Sequence, residues 1–214
     1  MKFISIIVIL LATCGVSFAQ QSKIVPPPFH DHYSEMVKKL ESGDTNINYR
    51  EFRESFIESQ QFIAFKNQES TFDSLRKTMY AAMHQKAYQN IVQITRQMLS
   101  LDYTSMLAHK ILQQTYNILG DSLNHKKYHA IEFGLLNSIL NNGDGKTCAT
   151  GWPVIQTSEE YFIFDMADAT VKQQSLDQSG GVCDKMEVTT DDGDRTFYFD
   201  IAEVMKGYEK LGIK

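Results

Sequence analysis

Proline is almost missing from most of this 214-residue chain. Three of the four prolines are consecutive, at positions 26–28, and the fourth is Pro153. Because proline is the strongest helix breaker, the stretch between them can hold long helices. Consecutive prolines favour an extended polyproline conformation, so residues 20–28 are predicted to form a stiff tether.

The sequence also lacks a run of the roughly 20 apolar residues that a membrane-spanning helix needs, which excludes a polytopic membrane protein. The run Phe3–Ala12 follows Lys2 and precedes a small-x-small site at residues 17–19, a pattern typical of an export signal. We therefore predict a cleaved signal peptide at residues 1–19 and a periplasmic or secreted protein. The alternative is a lipoprotein anchored through Cys14, because Leu11–Cys14 resembles a lipobox.

Cysteine is scarce, with three residues in the whole chain. Signal removal would take away Cys14 and leave Cys148 and Cys183. Two cysteines in an oxidising compartment are predicted first to form a disulfide, and two unpaired thiols are the alternative. A catalytic cysteine would need a neighbouring base, and the sequence shows none.

Positive charge is in deficit, because 21 Lys and Arg stand against 26 Asp and Glu, for a net charge of −5. This balance argues against a nucleic-acid partner. Hydrophobic residues make up 43% of the chain, enough to bury a core and to exclude disorder.

Helical periodicity dominates residues 29–142. Apolar residues recur every three or four positions, the first stretch ends at Gly43, the second begins near Asn48, and later ones end at Gly120 and Gly143. Residues 79–139 resemble a degenerate tetratricopeptide pair, although Tyr103 stands where that repeat usually has proline. The region is therefore predicted to fold as stacked helical hairpins.

Residues 143–214 are predicted to form a β-rich region that packs on the helices. Strands are expected at residues 152–156 and 159–166, and a hairpin is expected to join residues 183–189 to 195–201. A last helix at residues 202–211 would bury Val204, Met205, Tyr208 and Leu211. The predicted class is α+β, with helical hairpins followed by a small antiparallel sheet and a C-terminal helix.

Two patterns imitate nucleotide and calcium sites. Gly145-Lys146-Thr147 matches the end of a phosphate-binding loop, but the first glycine of that motif would fall at Leu140, in a helix. Residues 44–48 imitate the start of a calcium loop, but Tyr49 occupies the position that requires glycine. A helix cap explains the second pattern better, and neither predicts a cofactor.

A third pattern imitates a metal site. His125 and His129 are four residues apart and would share a helix face, but no third ligand lies nearby. Lys126 and Lys127 between them indicate an exposed helix surface. We therefore predict no bound metal.

Carboxylates of the C-terminal region are the weak candidates for chemistry. The cluster consists of Asp144, Glu159, Glu160 and Asp200. Paired carboxylates can act as general acid and base where their environments separate their pKa values. No spacing in the sequence makes a pair of them, so any site would have to assemble in the fold.

Several motifs recur in an order that resembles a known family. They are an Asp44-Thr45-x-Ile47-Asn48-Tyr49 helix start, Gly143–Cys148, Glu159-Glu160-Tyr161, Cys183-Asp184-x-Met186-x-Val188 and Tyr198–Ile201. With the export signal, they resemble an uncharacterised family of Bacteroidota, domain-of-unknown-function family 4919, over nearly the whole mature chain. The resemblance implies an envelope or secreted location and no particular activity.

Two function classes follow. The first is a non-catalytic exported interaction module that holds an envelope protein, a peptide or a glycan, which the helical hairpins favour. The alternative is an envelope hydrolase whose carboxylates converge only in the fold, around the cluster just described. A concave pocket where carboxylates meet would distinguish the second class from the first.

Overall fold

The computed structural model describes residues 24–213, and nine α-helices and four β-strands occur within that range. The helices are α1 His32–Ser42, α2 Tyr49–Glu58, α3 Gln60–Lys66, α4 Glu69–His84, α5 Tyr88–Leu101, α6 Met106–Ile118, α7 Ser122–Leu140, α8 Thr157–Met166 and α9 Ala202–Lys210. The strands are β1 Trp152–Pro153, β2 Thr170–Asp177, β3 Cys183–Thr190 and β4 Gly193–Asp200. The predicted α+β class is confirmed.

The first helices begin and end where side chains satisfy free backbone groups. Asp31 accepts a hydrogen bond from the Ser34 amide at the start of α1, and Asn48 accepts one from the Glu51 amide at the start of α2. Gly43 ends α1 with φ 96°, a left-handed conformation that glycine adopts without strain. Residues 44–48 thus lead into a capped helix.

Helices α4 to α7 pack in chain order, each against the next. Turns of three residues join α4 to α5 and α6 to α7, so both pairs are helical hairpins. Residues 122–127, which do not fit the repeat pattern, form the first turns of α7.

The four strands form one sheet in the order β1-β4-β3-β2. The predicted hairpin is present, because β3 pairs with β4 in antiparallel register across a turn at Asp191 and Asp192. Strand β1 pairs with β4 in parallel. The predicted small sheet is present and its three long strands are antiparallel, and the short strand β1 adds one parallel pair, so the sheet as a whole is mixed.

Residues 159–166 were predicted to form a strand and instead lie in α8. The apolar run from Tyr161 to Phe164 suits either structure, since continuous burial has no clear period. Acidic residues in the first turn favour a helix, because they lie near its positive dipole end. The last helix, α9, buries Val204 but leaves Met205 and Tyr208 substantially exposed, contrary to prediction.

A single hydrophobic core joins the helical and C-terminal parts. Val204 of α9 belongs to it, and Gly207 packs against the ring of Phe62 from α3. The ammonium of Lys210 donates to the carbonyl oxygens of Ile57 and Glu58 at the end of α2, at 3.0 and 2.6 Å. These contacts cap α2 with a residue from the last helix.

Ile24 and Pro27 are buried in the part of the predicted tether that the structure describes. Residues 24–27 have no regular secondary structure. The predicted signal peptide, the rest of the tether and Cys14 lie outside the described residues. Within residues 24–213, no helix combines the length and the hydropathy needed to cross a bilayer.

Gly134 lets α7 approach α2 closely. A β-carbon placed on Gly134 would lie 2.2 Å from a ring carbon of Tyr49, whose hydroxyl donates to the Thr45 carbonyl. We expect Gly134→Ala to lower the free energy of unfolding by about 1–2 kcal/mol, because overpacking outweighs the gain in helix propensity. Urea unfolding measures this change. In a Tyr49→Leu background the loss should disappear, and a more stable single variant would contradict the expectation.

Candidate functional site

A cleft of about 740 Å³ lies between α4 and α8. Helix α4 packs on α5 and buries only Met79 and Ala82 fully. Its other face is therefore free to form a wall. Phe72, Arg76 and Tyr80 line that wall at four-residue spacing, which places them on one side of the helix.

Helix α8 forms the opposite wall. Tyr161, Phe162 and Asp165 line it, and Val171 of β2 and Ala169 extend it toward the sheet. The two tyrosines on facing walls, Tyr80 and Tyr161, are 44% and 46% exposed. Aromatic side chains at this exposure can bury a large area against a ligand at small entropic cost.

The floor of the cleft comes from the connection between α5 and α6. Asp102 is fully buried there and accepts hydrogen bonds from Thr104 and from the Gln156 amide, at 3.0 Å for the latter. Burial raises the pKa of Asp102, and these hydrogen bonds partly oppose the rise. Since its oxygens already accept these bonds, Asp102 positions Gln156.

A smaller cavity of about 160 Å³ adjoins the cleft. Both cavities include Glu69, Gln156 and Ser158 in their linings, and the smaller one continues to Tyr208 of α9. The two cavities therefore lie side by side at the N-terminus of α8, and we refer to them together as the groove. An elongated groove suits an extended ligand better than a compact one.

Charged groups on the cleft rim are mostly acidic. The lining includes four carboxylates, from Glu69, Asp73, Asp102 and Asp165, and one guanidinium, from Arg76. Three of these acids form ion pairs: Glu69 with Lys66, Asp73 with Arg76, and Asp165 with Lys110. Their carboxylate ends are about half exposed or more, so these pairs are weak and can yield to a ligand's charge.

The predicted acidic cluster does not form this cleft, since none of its four residues lines either cavity. Asp144 lies in an exposed loop and accepts from Thr150 and the Lys146 amide. Those bonds lower its pKa. Asp200 accepts from the Ala202 amide at the start of α9.

Glu159 is committed to a buried ion pair. Its two oxygens accept from Nε and Nη2 of Arg53 at 2.8 and 2.6 Å, and both side chains are almost fully buried. Arg53 also donates to the Pro153 carbonyl, at 2.9 Å, and Ile155 donates its amide to Glu159. This network joins α2 to α8 and leaves Glu159 no free oxygen for chemistry.

Glu160, next to it, is fully buried and belongs to a separate contact with Asp184 of β3. Desolvation first, and the Asp184 charge second, raise the pKa of Glu160 to about 9. The four predicted acids thus have different roles in the structure. Asp144 accepts hydrogen bonds within a loop, Asp200 caps a helix, Glu159 forms an ion pair, and Glu160 is a buried carboxyl.

Cys148 and Cys183 are joined by a disulfide, with their Cα atoms 5.7 Å apart. It ties the short turn before β1 to the start of β3. The rings of His125 and His129 lie 5.9 Å apart on α7, and His125 bonds to the Gln113 carbonyl. Among residues 24–213, no group of three or more His, Cys, Asp or Glu side chains has the arrangement of a metal site.

The sequence contained one signal of the cleft that the periodicity analysis passed over. Leu75, Met79 and Ala82 form the core stripe of α4, while Phe72, Arg76 and Tyr80 form a second stripe on another side. A helix with two separate aromatic or apolar stripes has one more face than its core contacts require. Tyr161 was noted only as part of the Glu159-Glu160-Tyr161 motif, with no role assigned to it, and no site was predicted at Asp102.

The family model described as a domain of unknown function (DUF4919) matches residues 22–210 of the chain. No curated protein shows detectable similarity to the chain, and no solved structure does.

Proposed function

Because the chain belongs to the DUF4919 family, whose function is not known, we propose from the groove itself that the protein is a non-catalytic binding module for an extended peptide segment. The observation that carries this proposal is the cleft of about 740 Å³ between α4 and α8, with aromatic walls and an acidic rim. Its volume lies in the range of ordinary ligand pockets.

The chemistry of the groove specifies what the peptide should contain. Phe72 and Phe162 offer apolar surface for an apolar or aromatic side chain. The rim acids Asp73 and Asp165 favour a basic side chain beside it, since lysine or arginine can pair with a carboxylate and also stack on Tyr80 or Tyr161. The peptide therefore combines one apolar and one basic side chain.

Export to the periplasm or outside the cell is part of the same proposal. Its support is the signal-like N-terminus and the Cys148–Cys183 disulfide, which is the state expected in an oxidising compartment. The resemblance to a Bacteroidota family agrees with an envelope location. The partner would then be an envelope protein that presents the peptide segment.

The hydrolase alternative depends on Asp144, Glu159, Glu160 and Asp200. The contacts of these residues favour structural roles, because Glu159 is held by Arg53 and neither Asp144 nor Asp200 lines a cavity. No observation on the described residues favours catalysis over binding, so binding is the function we propose.

A library of defined peptides tests the proposal. We expect peptides that contain an aromatic residue next to lysine or arginine to bind, and Tyr80→Ala to weaken their binding by about tenfold or more, as for an aromatic anchor. Titration followed by fluorescence anisotropy measures the dissociation constant. Phe133→Ala is the matched control, because Phe133 is also 44% exposed but lies on α7 outside both cavities.

Charge provides the second arm of this test. Asp73→Lys should weaken the binding of the basic peptides further. Peptides with glutamate in place of lysine should either remain unbound or bind this variant slightly better. Equal binding by wild type, Tyr80→Ala and Phe133→Ala would remove the groove from the proposal. If oligosaccharides bound and no peptide did, the groove would remain the proposed binding site, but the proposal that its ligand is a peptide would be wrong.

A further inference from the structure

Glu160 is a buried acid that finds no hydrogen-bond donor. It is fully buried in the first turn of α8, and neither carboxyl oxygen has a donor within the part of the chain that the structure describes. An ionised carboxylate without donors is strongly disfavoured in such a place. A proton on Glu160 removes the charge and turns one of its oxygens into a donor.

Asp184 of β3 is the acceptor for that proton. It faces Glu160 closely enough for a side-chain hydrogen bond once one of the two groups carries a hydrogen. If both carboxylates were ionised, they would repel each other. The contact between α8 and β3 therefore changes from attraction to repulsion when the proton leaves.

A chain of hydrogen bonds continues from this pair to the binding groove. Asp184 accepts from the Gln174 amide at 2.6 Å, and the Gln174 carbonyl accepts from the Tyr161 hydroxyl at 2.9 Å. Tyr161 lines the cleft from α8. Three elements, α8, β2 and β3, are thus joined through one polar network that begins at Glu160 and ends at the cleft wall.

The other charged groups near α8 already have partners elsewhere. Glu159, beside Glu160, is paired with Arg53 of α2. Lys110 of α6 pairs with Asp165 near the far end of α8, and Lys172 of β2 pairs with Asp194 of β4. Asp184 and Glu159 are the charged groups that raise the pKa of Glu160. Both are acidic, so neither favours the ionised form of Glu160.

We propose that the proton shared by Glu160 and Asp184 is a pH-sensitive latch that holds α8 against the sheet, so that loss of the proton loosens one wall of the binding groove. The latch itself follows from the contacts of Glu160, and only its effect on ligand binding rests on the proposed function. Acidic and neutral conditions keep the groove formed, and alkaline conditions open it.

The sign of the effect follows from the protons bound in each state. The pKa of Glu160 is about 9 in the folded protein and near 4.5 when unfolded, so between these values the folded state holds an extra proton. Stability therefore falls as the pH rises through this window. Burial of Glu132 raises its pKa from 4.5 to about 7, so stability also falls as the pH rises between these two values.

His109 acts in the opposite direction. Burial lowers its pKa to about 3 from an ordinary value of 6.5, so the unfolded state holds the extra proton between these values. Stability there rises with pH. Above about pH 8 both His109 and Glu132 have finished titrating, and Glu160 continues the decline up to about pH 9.

Amide hydrogen exchange across α8 tests the latch without any ligand. After correction for intrinsic exchange chemistry, we expect the opening equilibrium of residues 157–166 to rise between pH 7 and 9 by up to about tenfold per pH unit, the limit for one released proton. Glu160→Gln keeps an uncharged donor for Asp184, so its opening equilibrium should not change with pH. Glu132→Gln is the matched control and should behave as wild type above about pH 8, where Glu132 has finished titrating.

Two further measurements keep the test decisive. Asp184→Asn removes the opposing charge from a partly exposed position and should weaken the pH dependence without abolishing it, because burial remains the larger cause of the raised pKa of Glu160. A protonated-carboxyl infrared band that persists at neutral pH in wild type and is missing in Glu160→Gln would report the proton directly. Equal α8 protection at pH 7 and 9, or unchanged pH dependence in both variants, overturns the latch.

Failure of the latch and failure of the binding function can be told apart. The exchange experiment contains no peptide, so a flat pH profile would refute the latch and leave the groove intact. Conversely, loss of every peptide interaction with a normal α8 titration would refute the binding function alone.

Discussion

Arg53→Met should lower the free energy of unfolding by about 3–5 kcal/mol, the range for removing one partner of a buried ion pair. Methionine fills much of the space but donates no hydrogen bond. Glu159 would be left as a buried carboxylate with the Ile155 amide as its remaining strong donor, and the Pro153 carbonyl would lose its bond to Nη2. Unfolding in guanidinium chloride, followed by circular dichroism, measures the loss.

Arg50→Met is the matched control on the same helix. Arg50 pairs with Glu54 at 2.8 Å, but its side chain is half exposed, so its loss should cost about 1 kcal/mol or less. A double variant, Arg53→Met with Glu159→Gln, should recover part of the stability, because the glutamine is uncharged and can still accept from Ile155. Equal losses of unfolding free energy in Arg53→Met and Arg50→Met would contradict a stabilising role for the buried pair of Arg53 and Glu159.

Removal of the disulfide should have a similar effect. Cys148 and Cys183 are 35 residues apart, and in the chain-entropy model a loop of that size contributes about 3–4 kcal/mol. We expect the paired substitution Cys148→Ser with Cys183→Ser to lower the free energy of unfolding by this amount. Reduction of the wild type should have nearly the same effect, measured by urea unfolding with and without a phosphine reductant.

The double serine variant is its own control for the reductant, which should leave it unchanged. Because the closed loop contains α8 and β2, the exchange protection of both elements should fall with the disulfide removed. An unfolding curve of the wild type that does not respond to full reduction would show that the cross-link adds nothing to stability.

The helical part was the more predictable half of the fold because its signals are local. Gly43 and Asn48 mark a helix end and a helix start, and both act there through their own backbone or side chain. The helical periodicity that begins near Asn48 did not show the break at Ser59, whose hydroxyl accepts a hydrogen bond from the Phe62 amide and starts a new helix. Periodicity alone does not show such a cap.

The C-terminal part was harder because its apolar pattern is ambiguous. The run Tyr161–Phe164 satisfies a strand or a buried helix, and the surrounding contacts selected the helix. Strand β2 was missed because it is mostly polar and exposed, as an edge strand can be when it pairs on one side only.

The candidate site depended on long-range contacts that no spacing could predict. Arg53 meets Glu159 across 106 residues, and the cleft exists only because α4 and α8 come to face each other. Sequence analysis identified Glu159 and Glu160 as notable acids but treated them alike. In the structure Glu159 pairs with an arginine, whereas burial and then a neighbouring carboxylate raise the pKa of Glu160, so two adjacent identical residues lie in different surroundings.

The capping of α2 by Lys210 has a consequence for the order in which the chain can mature. The carbonyls of Ile57 and Glu58 receive their donor from a residue made more than 150 positions later. The cap of this early helix is therefore completed only after the last helix has been synthesised and has docked against it.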